Sequence, residues 1–298
     1  MKHWKPAVIA ALWSGALYAA PMPVVASFSI LGDVAQQIGG ERVAVQSLVG
    51  ATQDAHAYNL TSSDIKKIRE ARLVLLNGLG LEKAELQRAV KQSKVASAEA
   101  TAGIKPLAAD EHHHEHNHGH DHDHGEFDPH VWNDPVLMQR YAANVAIALI
   151  KADPAGSRYY QQRFKDYQNV LNQLNNYANQ QFGAVAPAKR KVLTGHDSFA
   201  YLGKRYQVKF ISPQGVSSEA EPSARQIAAI IRQIKAENVK AVFTENIKDG
   251  RMIARIAKET GVKVSGGLYA DALSSGAPAG TYADMFRYNV RVMSEAMK

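Results

Sequence analysis

From residue 24 onward, short β-branched runs alternate with amphipathic stretches. Val24-Val25-Ala26-Ser27-Phe28-Ser29-Ile30 predicts a buried strand, since a short continuous apolar run suits a sheet covered on both faces. Gly32-Asp33 leads into a helix ending at Gly39-Gly40. Residues 43–49 predict the next strand, and Thr61-Ser62-Ser63-Asp64 offers caps for a helix through Ala71. Leu73-Val74-Leu75-Leu76 predicts a third strand, closed by Asn77-Gly78. Strands that alternate with helices predict a parallel sheet with both faces covered.

Residues 110–126 break this pattern with a low-complexity acidic and histidine tract. Residues 135–150 then read as an amphipathic helix. Beyond Asp153-Pro154, Tyr160, Phe164, Tyr167, Val170, Leu171, Leu174 and Tyr177 fall at spacings of three and four up to Phe182. That spacing predicts one helix of more than six turns, at about 3.6 residues per turn. The alternation then resumes. Lys191-Val192-Leu193-Thr194, Val208-Lys209-Phe210, Ala241-Val242-Phe243 and Val262-Lys263-Val264 predict strands, and residues 223–237, 250–260 and 281–297 predict helices. The expected architecture is two doubly wound α/β domains, 21–153 and 185–298, joined by a long helix over 154–184.

Residues 1–20 have the layout of a secretory signal: Lys2 and Lys5, an apolar stretch over 7–17, then Ala19 and Ala20 before Pro21. The apolar stretch is short for a membrane span. The chain has no cysteine, which excludes disulfides, thiolate metal sites and a lipidated thiol. These features predict a free periplasmic protein, expected to be a monomer. The net charge of +7 comes without a Lys/Arg stripe interleaved with aromatics, so no nucleic-acid partner is expected.

Histidine carries most of the chemical information. Of twelve, His3 lies in the signal segment and eight lie in the tract: His112, His113, His114, His116, His118, His120, His122 and His124. Only His56, His130 and His196 remain for the folded body, each in a loop after a strand or before a helix, where α/β sheets put ligands. Taken singly, each is more often a surface or satisfied core residue. Their contexts are Asp54-Ala55-His56-Ala57-Tyr58, then Asp128-Pro129-His130-Val131-Trp132-Asn133-Asp134-Pro135, then Thr194-Gly195-His196-Asp197-Ser198-Phe199.

These strings resemble the metal-binding solute-binding proteins of ABC transporters (cluster A-I), which include ZnuA-like and AztC-like zinc proteins and manganese-binding relatives. The similarity continues through Ile211-Ser212-Pro213-Gln214-Gly215-Val216-Ser217-Ser218-Glu219 and Phe243-Thr244-Glu245-Asn246 to Tyr269-Ala270-Asp271-Ala272-Leu273-Ser274. It covers essentially the whole mature chain, and Asp-Pro-His-Val-Trp is its most specific piece. The resemblance implies a metal in the cleft between domains, held by His56, His130, His196 and Asp271, with the long helix as a rigid connector. It also implies an ABC permease with its ATPase as partners, and leaves room for a periplasmic metallochaperone. Ala55 stands where many zinc-binding members have glutamate, and Asn59 where another often follows, which moves weight onto Asp271.

Three imidazoles and one carboxylate suit Zn2+, and a closed four-ligand shell favours binding over hydrolysis. Asp197 and Glu245 are candidates to orient a histidine through its other ring nitrogen; the bland reading is a surface or helix-start carboxylate. The tract cannot bury a core and is expected to be a loop offering weak auxiliary zinc sites. Such a tract is the main reason to prefer zinc, since the manganese-selective relatives generally lack one. The alternatives are a manganese- or iron-binding protein of the same class, a surface adhesin, and a secreted metalloenzyme. For the enzyme, no His-Glu-x-x-His helix or Gly-x-Ser-x-Gly elbow is present.

Overall fold

The computed structural model describes residues 20–109, 127–219 and 221–298. The expected signal segment, residue 20 apart, and the histidine tract lie outside the described residues.

Parallel strands lie between two layers of helices, so their residues are buried on both faces. The first sheet follows that rule in its two central strands. It comprises β1 (Met22–Phe28), β2 (Val43–Val49), β3 (Leu73–Leu76) and β4 (Ala96–Glu99), in the order β2-β1-β3-β4 and all parallel. Helices α1 (Ser29–Gly39), α2 (Ser62–Glu70) and α3 (Ala84–Ser93) alternate with these strands. Ser29 and Ile30, expected to end the first strand, are the first residues of α1. The second sheet repeats the plan with β5 (Lys191–Leu193), β6 (Lys209–Ile211), β7 (Ala241–Glu245) and β8 (Gly266–Leu268), in the order β6-β5-β7-β8. Its helices are α6 (Ala200–Tyr206), α7 (Ala224–Glu237), α8 (Arg251–Thr260) and α9 (Tyr282–Met297). The chain therefore has two parallel-sheet α/β domains. Among the described residues no helix is long and apolar enough to cross a membrane.

Helix α5 (Ser157–Gly183) connects the domains after α4 (Leu137–Ala152), and at 1.5 Å per residue its 27 residues span about 40 Å. Tyr160, Tyr167, Leu171, Leu174, Ala178 and Phe182 form its buried stripe. That stripe belongs to one continuous apolar core running from Val24 and Phe28 in the first sheet to Phe243 and Leu268 in the second. Smaller clusters sit on the outer faces, around Val74 and Leu86 in one domain and Val242 and Ile256 in the other.

The strand expected at Val262-Lys263-Val264 is displaced to Gly266–Leu268. Gly261 ends α8 with a φ of +73°, and the Val262 N–H closes that helix on Ala257 O at 3.0 Å. Capping thus uses the first valine, and pairing with β7 begins only at Phe243↔Gly266.

The start of α2 illustrates local sequence control. Thr61 and Asp64 form a reciprocal capping box, and the Asp64 carboxylate also accepts the Tyr58 hydroxyl at 2.6 Å and Lys67 Nζ at 3.0 Å. Burial alone would raise this carboxyl, but Thr61, Tyr58 and Lys67 outweigh it and hold it at about 2 against an ordinary 3.8. A depressed carboxyl stabilises the fold above its unfolded value and loses that contribution as pH falls through its folded one. Asp64→Asn is therefore expected to lower stability near neutrality by about 2 kcal/mol. In urea melts, the deficit relative to wild type should vanish between about pH 4 and pH 2.

Candidate metal centre

Four side chains from distant parts of the chain meet where the strands of both sheets end. His56 lies in the turn after β2, where Asp54 Oδ1 accepts the His56 N–H at 2.9 Å and that of Ala57 at 3.4 Å. His130 precedes a short 3-10 turn at Val131–Asn133, and Asp128 Oδ1 accepts its backbone N–H at 2.9 Å. His196 follows β5. Glu245, the last residue of β7, accepts the N–H groups of Gly195 and His196 at 2.8 and 3.2 Å. A Cβ on Gly195 would lie 3.1 Å from that carboxyl carbon, so glycine permits the approach. Asp271 follows β8 between Ala270 O, which accepts Trp132 Nε1–H at 2.8 Å, and Ala272 O, which accepts Asn246 Nδ2 at 3.2 Å.

One ligand atom from each of His56, His130, His196 and Asp271 lies within 4.8 Å of the other three, and all four residues are buried. His56 Nε2 is 3.2 Å from His130 Nε2. Asp271 oxygens lie 3.5, 3.4 and 3.0 Å from the Nε2 atoms of His56, His130 and His196. Behind two of the rings stand carboxylates: Asp128 Oδ1 is 2.7 Å from His130 Nδ1, and Glu245 Oε2 is 2.6 Å from His196 Nδ1. A carboxylate accepts, so each Nδ1 carries a proton and each Nε2 is left facing inward as the candidate ligand atom.

The consequence is a buried cluster of candidate metal-ligand atoms facing one another. His196 Nε2 and both Asp271 oxygens have no hydrogen-bond partner, despite the 3.0 Å between them. Leaving such atoms unpaired costs about 1–3 kcal/mol each, and a cation at the convergence point would satisfy all of them. Burial disfavours charge on His196, but the carboxylates of Glu245 and Asp271 overcome it and hold the imidazole well above its ordinary range. Burial likewise opposes the Asp271 carboxylate, yet His196 and His130 hold it well below the usual range. For His56 burial is the largest influence and, with the neighbouring imidazoles, outweighs Asp271, so this imidazole is lowered. The centre attracts positive charge.

Of the two carboxylates singled out from the sequence, Glu245 stands behind His196. Asp197 is half-buried and donates its backbone N–H to Gly215 O at 3.1 Å. Asp128 was missed. Its signal was the Asp-x-His spacing, which lets one carboxylate bond both the backbone and the ring of a histidine two residues on.

Two parallel-sheet domains with an acceptor cluster between their strand ends define a solute-binding protein for a divalent metal ion. The chain belongs to the family described as zinc-uptake complex component A, periplasmic (ZnuA), which matches residues 24–296. It is similar to the manganese-binding lipoprotein MntA of Bacillus subtilis (strain 168), with 32% identity covering 93% of this chain and 90% of that one. A manganese-bound variant of a periplasmic metal-binding protein from Candidatus Liberibacter asiaticus superposes with a TM-score of 0.81 at 29% identity, covering 93% of this chain and 100% of that one. The periplasmic zinc-binding protein TroA of Treponema pallidum gives a TM-score of 0.84 at 25% identity, covering 93% and 99%. The protein is a metal-binding, substrate-binding component of an ABC transporter, a family that works with a permease and its ATPase.

Proposed function

We propose that the protein captures one Zn2+ ion with His56, His130, His196 and Asp271 and delivers it to the membrane permease. The observation that carries this reading is the convergence of three imidazole Nε2 atoms and a buried, unpartnered carboxylate on one point. Three neutral nitrogen donors and one anionic oxygen match the borderline-soft character of zinc, whereas manganese prefers more oxygen. The histidine tract offers weaker auxiliary sites that feed the cleft. With no cysteine to acylate, the mature chain works as a free periplasmic monomer, loaded directly or by a metallochaperone.

A second reading, manganese, is favoured by the two free oxygens of Asp271, which could bind bidentately and raise the coordination number. The manganese relatives point the same way. Competitive titration of metal-depleted protein separates the two. Zinc should displace bound manganese at equimolar concentration; manganese outcompeting zinc overturns the zinc assignment.

Asp128 and Glu245 fix the tautomers of His130 and His196. Asp128→Asn and Glu245→Gln are each expected to weaken zinc binding about 10–100-fold, as measured by chelator competition. Unchanged affinity in both would remove these carboxylates from the binding machinery.

A further inference from the structure

The two flanks of the metal centre are built differently. Behind it, buried bonds join the domains: Trp132 Nε1–H to Ala270 O at 2.8 Å, Asn133 Nδ2 to Ser198 O at 2.8 Å and the Tyr201 hydroxyl to Asp128 O at 2.7 Å. In front, contact is made by the segment around Ser218, which belongs to the second domain and approaches the turn that carries His56. The Ser218 hydroxyl donates to Asp54 Oδ2 at 2.6 Å. Lys248 Nζ lies 3.9 Å from the same oxygen and donates to Ser218 O. Lys83 Nζ reaches Glu219 Oε1 at 2.8 Å across the same gap.

Asp54 is the hinge of this arrangement. Its Oδ1 holds the His56 backbone, and its Oδ2 is the atom that Ser218 grips. The turn that carries His56 is therefore tied to the second domain through this carboxylate, and through the Thr52 N–H, which donates to Leu273 O at 2.9 Å. His56 is also 7% exposed, while the other three candidate ligands are 0% exposed, so solvent reaches the centre from this side. Flank strength follows the same asymmetry. On the front, the Lys83–Glu219 pair is partly exposed and screened by salt, whereas Ser218 and the bonds behind the site are buried.

We propose that Ser218 and Lys248, gripping Asp54, form a clasp across the cleft that positions His56 and sets the rate of metal release, with Lys83 and Glu219 as its outer pair. The proposal rests on the metal reading of the site. Ser218 and Lys248 are positioning residues: each acts on the metal through Asp54 and the His56 turn.

Metal release from the full mature chain, followed by stopped flow into excess chelator, tests the clasp. Ser218→Ala and Lys248→Met are expected to raise the dissociation rate at least about 10-fold, with association changed less than about 3-fold. Ser218→Thr, which keeps the hydroxyl, should restore near-wild-type release. Lys83→Glu should speed release up to about 5-fold, and adding Glu219→Lys should reverse it. The visible absorption band of the Co2+-loaded variants should stay at the wild-type position, since the ligand set is intact. Release at the wild-type rate from Ser218→Ala overturns the proposal, as does Ser218→Thr releasing as fast as Ser218→Ala. If Ser218→Ala does not fold, Lys248→Met and the charge reversal decide by the same rates. Wild-type protein that retains neither Zn2+ nor Co2+ overturns the site reading itself, and the clasp with it.

Discussion

Asp271→Ala is expected to abolish tight metal binding while leaving a folded protein. Asp271 is the one anionic group at the convergence point, fully buried and within 3.0–3.5 Å of all three imidazoles. Removing one partner of a buried charge pair costs about 2–5 kcal/mol of binding, on the order of 10–10^4-fold in Kd. Isothermal titration measures that loss directly. A thermal melt gives an independent readout. Metal at 1,000 times its Kd stabilises wild type by about 4 kcal/mol, and that gain should disappear in the variant. A variant that still binds within 10-fold of wild type would remove Asp271 from the ligand set.

Trp132→Ala is expected to be the most destabilising single change near the site. The indole is 0% exposed and packs against Phe28 at 4.9 Å and His130 at 5.1 Å between ring centroids. It donates to Ala270 O, while its own carbonyl accepts the Tyr282 hydroxyl at 2.9 Å. The side chain thus touches the first sheet, a histidine of the centre and the loop holding Asp271, and the backbone of the same residue is tied to helix α9. Truncating it should cost about 3–5 kcal/mol in urea unfolding. Trp132→Phe keeps much of the apolar volume but strands the buried Ala270 carbonyl, which should cost about 1–3 kcal/mol. Wild-type stability in Trp132→Phe would show that the indole N–H contributes nothing.

The contrast between these two residues and the missed ones shows where sequence patterns carry information. Strands β2 and β3 and helix α5 were legible because their apolar periodicity coincides with what they bury. Strand β4, Ala-Ser-Ala-Glu, was not read at all. It has no β-branched residue and is largely exposed, and it exists because β3 offers a free edge for its backbone to pair with. Helix α6 was also missed. It has seven residues with a central glycine, required because a Cβ on Gly203 would come within 2.6 Å of Val208 O. Helix α3 carries a weaker signal, Leu86 and Val90 one turn apart. Asp128 stands two residues before His130, and Asp197 stands one residue after His196. Both sequences permit a carboxylate to reach a ring, and only the backbone path decides which one does.

By itself the sequence determined the periodicity that makes two α/β halves and a long connecting helix. It also determined the donor types: three histidines outside the tract and the expected signal segment, one ordered series of motifs, and no thiol. Those are properties of composition and local spacing, which the chain carries unfolded. Tertiary structure decided the rest. His56 and Asp271 are separated by more than two hundred residues, and they meet because α5 and α9 hold the strand ends of two sheets against each other through one continuous core. Which ring nitrogen faces inward was settled by Asp128 and Glu245, and the attraction for a cation arises from burying acceptors where water cannot screen or satisfy them.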